Sequence, residues 1–264
     1  MMADRPAKRA QDGGDAPAER YRAPALDRGL DILESLARQA RGLTRAEIAK
    51  ATGLGPSQIY RMLERLVARG YVARLDGGDH YALSMKLFLV ATSHPPLRRL
   101  VAQAQPQMDA FARTTRQSCH LVCPEGGSAI VVAQSSPPDN WEFRVRIGAR
   151  LDLFGTGSGQ TLLAFQPPAL LDQSLASWGI GDAPAALARI APHLAEIRAA
   201  GYRAAPSAQL VGVTDLSVPL FGPDGAAVAA LTCPHIGHPD DPEPESRTDA
   251  LARLRDLGRM LSFT

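Results

Sequence analysis

The stretch that decides the fold runs from residue 44 to residue 75 and reads TRAEIAKATGLGPSQIYRMLERLVARGYVARL. At its start Thr44 stands three positions before Glu47, which is the spacing of a capping box that opens a helix. Gly53 is expected to end this helix, because glycine readily adopts the backbone conformation that follows a helix. The sequence therefore predicts a short helix followed by a glycine turn.

A longer helix is predicted directly after this turn. Pro56 is tolerated in the first turn of a helix, and Gly70 is expected to close it. The apolar residues that follow helical spacing are Ile59, Met62, Leu63, Leu66 and Val67. The polar residues on the other side are Ser57, Gln58, Arg61, Arg65 and Arg69. Three arginines spaced four apart share one helix face, which is either a binding surface or a solvated one.

The residues on either side of this helix pair extend the pattern. Downstream, residues 71–75 and 80–84 alternate apolar and polar side chains around DGGD at 76–79, which predicts a β-hairpin. Upstream, apolar residues recur at helical spacing, and Asp27 is expected to cap a helix that runs to about Ala40. This order of helices, glycine turn and hairpin is typical of a winged helix-turn-helix domain.

Such a domain binds DNA by placing its second helix in the major groove, where side chains reach the edges of the bases. The expected base readers are Ser57, Gln58 and Arg61. The expected phosphate contacts are Arg28, Thr44 and Arg45. The candidate set is completed by Pro56, Tyr60, Arg65 and the wing glycines Gly77 and Gly78. The alternative interpretation is a winged helix that docks another protein.

Composition excludes several other classes of protein. The chain has 264 residues, 45% hydrophobic and 21% charged, as is usual for a globular protein of one or two domains. It has no apolar run of about 18 residues and no secretory signal, so we expect a cytoplasmic protein without a membrane partner. Residues 26–94 carry ten Lys and Arg against seven Asp and Glu, whereas residues 95–264 carry fourteen against sixteen. The first segment therefore suits DNA phosphates better than the second.

The chain divides into four predicted segments. Residues 1–24 have almost nothing to bury and are expected to be a disordered tail. Residues 25–83 form the winged helix-turn-helix domain, and residues 84–96 form a linker helix that ends near a Pro-Pro pair. Residues 97–264 are expected to bind an effector and to oligomerise; they begin with a long helical pattern that Pro106 is expected to kink or split.

The last segment is predicted to be an α+β domain. The predicted strands are 119–123, 129–133, 141–147, 215–221 and 227–232. The predicted helices are 168–177, 184–200, 243–261 and one that begins in the glycine loop at 155–159. Strands joined by hairpin turns, without regular strand–helix alternation, favour a sensor-like domain over a doubly wound sheet.

The glycine loop, GTGSG at 155–159, does not have the ending or the spacing of a nucleotide-binding loop. Its backbone N–H groups at a helix start suit a small anion such as a carboxylate, and a plain turn is the alternative. Ser158 resembles a hydrolase nucleophile only loosely, because Thr156 stands where the nucleophile elbow needs glycine. We therefore expect no enzyme and no cofactor, with a serine-dependent hydrolase as the remaining alternative.

Cysteine and histidine residues concentrate in two strand-like stretches, CHLVC at 119–123 and CPHIGH at 233–238. The six residues are Cys119, His120, Cys123, Cys233, His235 and His238. A zinc or redox site is one interpretation, but cysteines four apart on a strand are not a usual zinc pattern. Buried cysteines that act as small hydrophobic residues are the favoured interpretation, so we expect no metal.

Four segments in register resemble the IclR family of bacterial transcriptional regulators. They are ALDRGLDIL (25–33), GLGPSQIYRMLERLVARGYV (53–72), RIGARLDLFGTGSGQTLLAF (146–165) and GVTDLSVPLFGPDGAAVAALT (212–232). The resemblance extends over about residues 24–262. It implies a winged helix, a linker helix and a GAF-like α/β effector-binding domain.

The resemblance also implies how the protein works. Members form homodimers through their N-terminal domains, often assemble into homotetramers, and respond to a small organic acid or aromatic effector. The expected function is a repressor of a catabolic operon that the effector relieves, on a pseudo-palindromic operator. The effector-binding residues implied are Cys119, Leu121, Phe143, Phe154, Gly157, Ser158, Asp215, Ser217 and Thr232.

The sequence departs from the family pattern at three places. Gln160 stands where a lysine is common, residues 206–209 lack the usual acidic residues, and Asp215 occupies a position that is cysteine in many members. A carboxylate at 215 repels a carboxylate effector unless it is protonated or paired. These departures leave the effector open between an acid, a neutral hydroxylated aromatic and a molecule with a cationic group.

Overall fold

The structure is a computed structural model that describes residues 23–75, 77–138, 142–178, 182–237 and 243–262. The chain forms two compact units, Met1–His94 and Pro95–Thr264. The predicted tail lies almost wholly outside the described residues. The architecture combines a winged helix-turn-helix unit with an α/β unit, which confirms the predicted fold class.

The N-terminal unit contains four helices and a three-stranded sheet within its described residues. The helices are α1 (Pro24–Ala37), α2 (Arg45–Thr52), α3 (Pro56–Ala68) and α4 (Lys86–Thr92). The strands are β1 (Leu43–Thr44), β2 (Val72–Arg74) and β3 (His80–Leu83), which pair antiparallel in the order β1-β3-β2. The core between them is made of Ile32, Leu36, Leu43, Ile48, Ile59, Leu63, Val72 and Tyr81. Its apolar stripe on α3 is the one that the periodicity predicted.

The start of α1 differs from the prediction. The helix begins at Pro24, no side chain caps it, and Asp27 lies inside the first turn. Proline fixes the backbone angle that a first helical position needs and has no N–H to leave unpaired, so Pro24 opens the helix without a cap. The helix also ends at Ala37, three residues before the predicted end.

The C-terminal unit is built on one six-stranded antiparallel sheet. Its strands are β4 (Cys119–Glu125), β5 (Ser128–Ser135), β6 (Arg150–Asp152), β7 (Arg203–Pro206), β8 (Val213–Phe221) and β9 (Ala227–Ile236). Its helices are α5 (Pro95–Thr115), α6 (Gly157–Ala164), α7 (Pro168–Ser177), α8 (Ala183–Ala200) and α9 (Glu243–Leu261). The strand order is β6-β5-β4-β9-β8-β7. Residues of α5 and α9 pack in one core cluster of the sheet, and residues of α6, α7 and α8 pack in another.

Two predictions in this unit were wrong in part. Pro106 does not split the long helix, because α5 is one helix from Pro95 to Thr115 and its buried residues hold it to the sheet. The predicted strand at 141–147 is not formed over its described residues, 142–147. The side chain of Gln134 contacts this stretch instead, donating to the carbonyl oxygen of Phe143 and accepting from the N–H of Val145, each at 3.4 Å. The third strand of this region is β6.

Candidate functional site

The helix-turn-helix is fixed by the predicted capping box at the start of α2. Thr44 Oγ1 accepts from the backbone N–H of Glu47 at 3.3 Å, and Glu47 Oε2 accepts from the backbone N–H of Thr44 at 2.8 Å. Arg41 donates to the other carboxylate oxygen at 2.8 Å. The backbone hydrogen bond from Thr44, followed by the hydrogen bond from Arg41, lowers the pKa of Glu47 to about 2. Gly53 then ends α2 with φ of 69°.

The exposed face of α3 carries most of the predicted DNA-binding residues. Ser57, Tyr60, Arg61 and Arg65 are exposed, and Pro56 opens the helix. Gln58 is half-buried, and its Oε1 accepts from the N–H of Gly55 at 3.3 Å. The guanidinium of Arg45, at the start of α2, lies 6.0 Å from the ring centre of Tyr60. The structure therefore brings a predicted phosphate contact of α2 next to the exposed face of α3.

The predicted wing is the hairpin of β2 and β3. Gly77 and Gly78 in its turn are exposed and have φ of 95° and 78°, which side chains rarely adopt. Arg74 on β2 pairs with Glu64 on α3, which joins the wing to the helix. The remaining predicted residue, Arg28, lies half-buried on α1.

In the C-terminal unit, the glycine loop leads into α6 through a tightly packed turn. Thr156 caps the helix by accepting from the N–H of Gly159 at 3.1 Å, and its hydroxyl donates to the carbonyl of Asp152 at 2.6 Å. A Cβ at Gly159 would stand 2.4 Å from the carbonyl oxygen of Leu153. The backbone of Leu153 therefore excludes any side chain at residue 159, and the start of α6 can lie directly on the preceding turn.

A row of polar side chains crosses the sheet beneath the start of α6. His120 on β4 pairs in register with Thr232 on β9, Thr232 with Ser217 on β8, and Ser217 with Arg203 on β7. The Thr232 hydroxyl is 2.8 Å from that of Ser217 and 2.8 Å from that of Ser158 on α6. We call His120, Ser158, Ser217 and Thr232 the polar row; all four are buried.

The histidine of the polar row is neutral and lacks one partner. Its Nε2 lies 3.3 Å from Ser158 Oγ, whereas its Nδ1 has no hydrogen-bond partner among the described residues. Burial lowers the pKa of His120 to about 4. A serine beside a histidine is the arrangement of a nucleophilic enzyme, but here the histidine is a weak base and nothing described orients it. The pair therefore does not support the hydrolase alternative.

Asp215 and Arg203 form an ion pair next to the polar row. Asp215 Oδ2 is 3.7 Å from Arg203 Nη1, and the side chains are 13% and 11% exposed. Arg203 Nε donates to Gln160 Oε1 at 3.0 Å, and Gln160 Nε2 donates to the carbonyl of Phe154 at 2.8 Å. Burial raises the pKa of Asp215, while Arg203 opposes this rise; burial lowers the pKa of Arg203.

The structure brings some predicted effector residues together and separates others. Gly157, Ser158, Asp215, Ser217 and Thr232 meet at the start of α6, and Phe154 joins them through its carbonyl. By contrast, Cys119 and Leu121 belong to the core cluster that includes α5 and α9, where the Cys119 thiol lies 3.8 Å from the carbonyl of Met108. Alternate residues of a strand face opposite sides, so His120, and not its two neighbours, lies on the face that carries Ser158.

A cavity of about 350 Å³ lies in the same unit, and no residue of the polar row lines it. Phe143, the last predicted effector residue, lines it together with Gln117, Ser118, Pro137, Pro234 and Ile236. Two residues of its wall, Ser118 and Pro234, stand two positions along the chain from His120 and Thr232 of the polar row. The hydroxyl of Ser118 is buried without a hydrogen-bond partner among the described residues.

The cysteines and histidines do not form a metal centre in the part of the chain that the structure describes. No group of three His, Cys, Asp or Glu side chains is arranged there to hold an ion, and His238 lies outside the described residues. Burial raises the pKa of all three thiols, that of Cys123 to about 11. The thiolate is the form that binds metal and reacts, so these cysteines act as apolar packing residues.

Two family descriptions match the chain. Residues 97–262 match the C-terminal domain of bacterial IclR transcriptional regulators, and residues 25–76 match the IclR helix-turn-helix domain. The chain belongs to the IclR family. It is therefore a DNA-binding transcriptional regulator with an effector-binding domain, and the resemblance drawn from its sequence is confirmed.

IclR-family relatives match along most of the chain. The Pca regulon regulatory protein of Pseudomonas putida is 26% identical over 249 residues, which cover 90% of this chain and 84% of that protein. The regulator BhcR of Paracoccus denitrificans is 27% identical over 247 residues, which cover 90% of this chain and 86% of that protein.

No described helix is long and apolar enough to cross a membrane.

Solved structures of the IclR family share the fold. A homolog from Microbacterium hydrocarbonoxydans in complex with 4-hydroxybenzoate is 25% identical, with a TM-score of 0.67 and coverage of 89% of this chain and 99% of that one. A regulator from Rhodococcus sp. RHA1 is 22% identical, with a TM-score of 0.71 and coverage of 91% and 97%. The second likeness shows the fold alone.

Proposed function

We propose that this IclR-family protein is a repressor of a catabolic operon, and that a small organic effector releases it from its operator in the cytoplasm. The observation that carries the effector part is the polar row, together with a cavity of about 350 Å³, in the unit that carries no predicted DNA-binding residue. Deep cavities with a few convergent polar groups are the usual form of a small-molecule site. The homolog that binds 4-hydroxybenzoate supports an aromatic effector of similar size.

The DNA-binding surface of the proposal is the exposed face of α3 with the wing. Arg61 is exposed in the N-terminal half of α3, which is the part of a recognition helix that reaches bases. Ser57, Gln58, Tyr60 and Arg65 share this helix, and Arg45 and Thr44 stand at the start of α2, where phosphates bind. Arg28 and the wing glycines are proposed to contact the DNA backbone.

A homodimer explains the exposed apolar residues of the N-terminal unit. Met85, Phe88, Leu89 and Val90 are 54–66% exposed at and along α4, and Leu26 and Leu30 are 62% and 47% exposed on α1. Large apolar side chains exposed in this number favour a protein interface on this unit. Two copies joined through this unit would present two recognition helices, so the operator should be pseudo-palindromic, and further pairing through the C-terminal unit would give a tetramer.

The test is binding to the upstream intergenic DNA of the chain's own gene, measured by fluorescence anisotropy at several salt concentrations with non-specific competitor. Wild type should bind this DNA specifically, and Arg61→Ala should lose about 1–3 kcal/mol of binding free energy. Arg189→Ala, which removes an exposed arginine from α8, is the matched control and should bind as wild type does. Unchanged specific binding by Arg61→Ala would contradict the assignment of α3.

The same assay tests the effector. Candidate aromatic and hydroxylated compounds are added to the complex of wild type with its operator, and a true effector should release the DNA at a concentration that also raises the thermal stability of the protein. Binding no tighter than to random DNA in every condition would favour the alternative, a winged helix that docks a protein.

A further inference from the structure

The start of α6 has the features of an anion site, and a carboxylate of the chain itself fills it. A Cβ on Gly157 would stand 3.1 Å from Asp215 Oδ2, so the backbone there lies against the carboxylate. The N–H of Gly157 and the hydroxyl of Ser207 lie near enough to Asp215 to oppose the rise of its pKa, and Arg203 supplies the opposite charge at 3.7 Å. Backbone N–H groups at a helix start together with an arginine are what a bound carboxylate ordinarily requires.

The arginine is held in this position by other contacts. Its Nε is bonded to Gln160, and Gln160 is bonded in turn to the carbonyl of Phe154. Both members of the ion pair are nearly enclosed. A second carboxylate brought to this place would meet the negative charge of Asp215 at short range and away from water, where like charges repel strongly.

The polar row beside the ion pair has a different chemistry. The hydroxyls of Ser158, Ser217 and Thr232 each donate and accept hydrogen bonds, and the neutral His120 does both as well. Such groups pair well with a hydroxyl or carbonyl of a ligand. They provide no positive charge to balance an acid.

We propose that Asp215 is a built-in occupant of the anion site at the start of α6, so that the effector presents an uncharged hydroxyl or carbonyl group to this site instead of a carboxylate. The inference rests on the proposed function only in placing the effector beside the polar row. In this proposal Asp215 selects the effector by excluding carboxylates from the site, whereas the family resemblance implied that Asp215 binds the effector directly.

The test replaces the carboxylate of the chain with one from solution. Asp215→Ala removes the carboxylate that lies beside Gly157 N–H, Ser207 and Arg203, and acetate is small enough to take its place. Arg203 Nη1 has no hydrogen-bond partner among the described residues and can donate to the added carboxylate. Thermal unfolding of the full-length wild type and of the variant is measured at pH 7 in sodium acetate and in sodium chloride of equal ionic strength. We expect acetate to stabilise Asp215→Ala with an apparent Kd at least ~10-fold lower than for wild type.

Three controls keep the result interpretable. Asp215→Asn fills the same space without charge and should not respond to acetate, and the double variant Asp215→Ala with Arg203→Ala should lose the response. Asp215→Ser replaces the alanine variant if circular dichroism shows that the latter does not fold. Equal stabilisation of wild type, a response by the asparagine variant, or no response by the alanine or serine variant would overturn the proposal. Because the readout involves no DNA and no effector, it stands apart from the operator test of the proposed function.

Discussion

At the scale of single residues, His120 has the clearest thermodynamic consequence. Burial lowers its pKa from 6.5 to about 4 in the folded protein, while the unfolded chain keeps the ordinary value. Between these two pH values the unfolded chain binds a proton that the folded protein does not bind. The free energy of unfolding therefore falls as the pH is lowered from about 6.5 to about 4, by up to about 3 kcal/mol from this residue.

We predict that His120→Gln removes this part of the acid sensitivity. The amide of glutamine can still form a hydrogen bond with Ser158, but it does not take up a proton in this range. Urea unfolding of wild type and variant at pH 7.5, 6 and 5 measures the difference. His193→Gln, on the exposed surface of α8, is the matched control and should keep the wild-type slope; a wild-type slope in His120→Gln as well would refute the prediction.

Single residues also show why the effector site was only partly predictable. Cys119, His120 and Leu121 are adjacent in sequence, and the choice of face decides which of them lies beside the start of α6 in the proposed site. Because the period of a strand is two residues, an error of one residue exchanges the faces completely. The pairing of His120 with Thr232 sets the face here, and it joins residues more than a hundred positions apart. Arg203 gave no signal, since the short strand that carries it was not predicted.

At the scale of elements, the capping box of α2 is the feature that local sequence specified most completely. Thr44 and Glu47 stand at the predicted spacing and make both predicted backbone hydrogen bonds. We predict that Thr44→Ala weakens the helix by about 1 kcal/mol, because the N–H of Glu47 loses its acceptor.

Native-state hydrogen exchange of the full chain measures the loss of stability at the individual amides of α2. The amides of α2 should exchange about fivefold faster in Thr44→Ala than in wild type, and Thr44→Ser, which keeps the hydroxyl, should restore most of the protection. Faster exchange throughout the N-terminal unit in both variants would mean that the threonine methyl group, and not the cap, is responsible.

Strand prediction failed at several elements because alternation within a short stretch does not show whether the stretch has a strand partner. The two residues of β1 are too few to show a period, and the four of β7, RAAP, do not alternate apolar and polar side chains, so neither strand was predicted. Residues 142–147 show the period, but side-chain hydrogen bonds from Gln134 take the place of a strand partner. The long helices α8 and α9 carry many turns of pattern and lie within one residue of the predicted bounds.

At the scale of the whole molecule, the strand order of the C-terminal sheet could not be predicted from local sequence patterns. Strands β4 and β9 pair although they lie near opposite ends of this unit in the sequence.

The association of chains is also a property of this scale. We predict that Leu89→Glu, which places a charge on the exposed apolar side of α4, breaks the proposed pairing through the N-terminal unit and halves the mass of the wild-type assembly.

Sedimentation equilibrium of the wild type and the variant measures the mass. Met260→Glu is the matched control, because this methionine on α9 is 65% exposed and the proposed interface does not include it. A monomeric wild type, or a dimer that persists in Leu89→Glu but dissociates in Met260→Glu, would place the interface elsewhere.

The boundary between the two units carries its own mechanical consequence. Helix α4 ends at Thr92 and α5 begins at Pro95, followed by Pro96. Neither proline has an N–H, so a continuous helix through this point would lack two successive hydrogen bonds of its ladder. Proline also disfavours a helical conformation at the preceding residue, His94. The backbone therefore does not pass from α4 to α5 as one unbroken helix, and the interruption of the hydrogen-bond ladder falls where the first unit ends and the second begins.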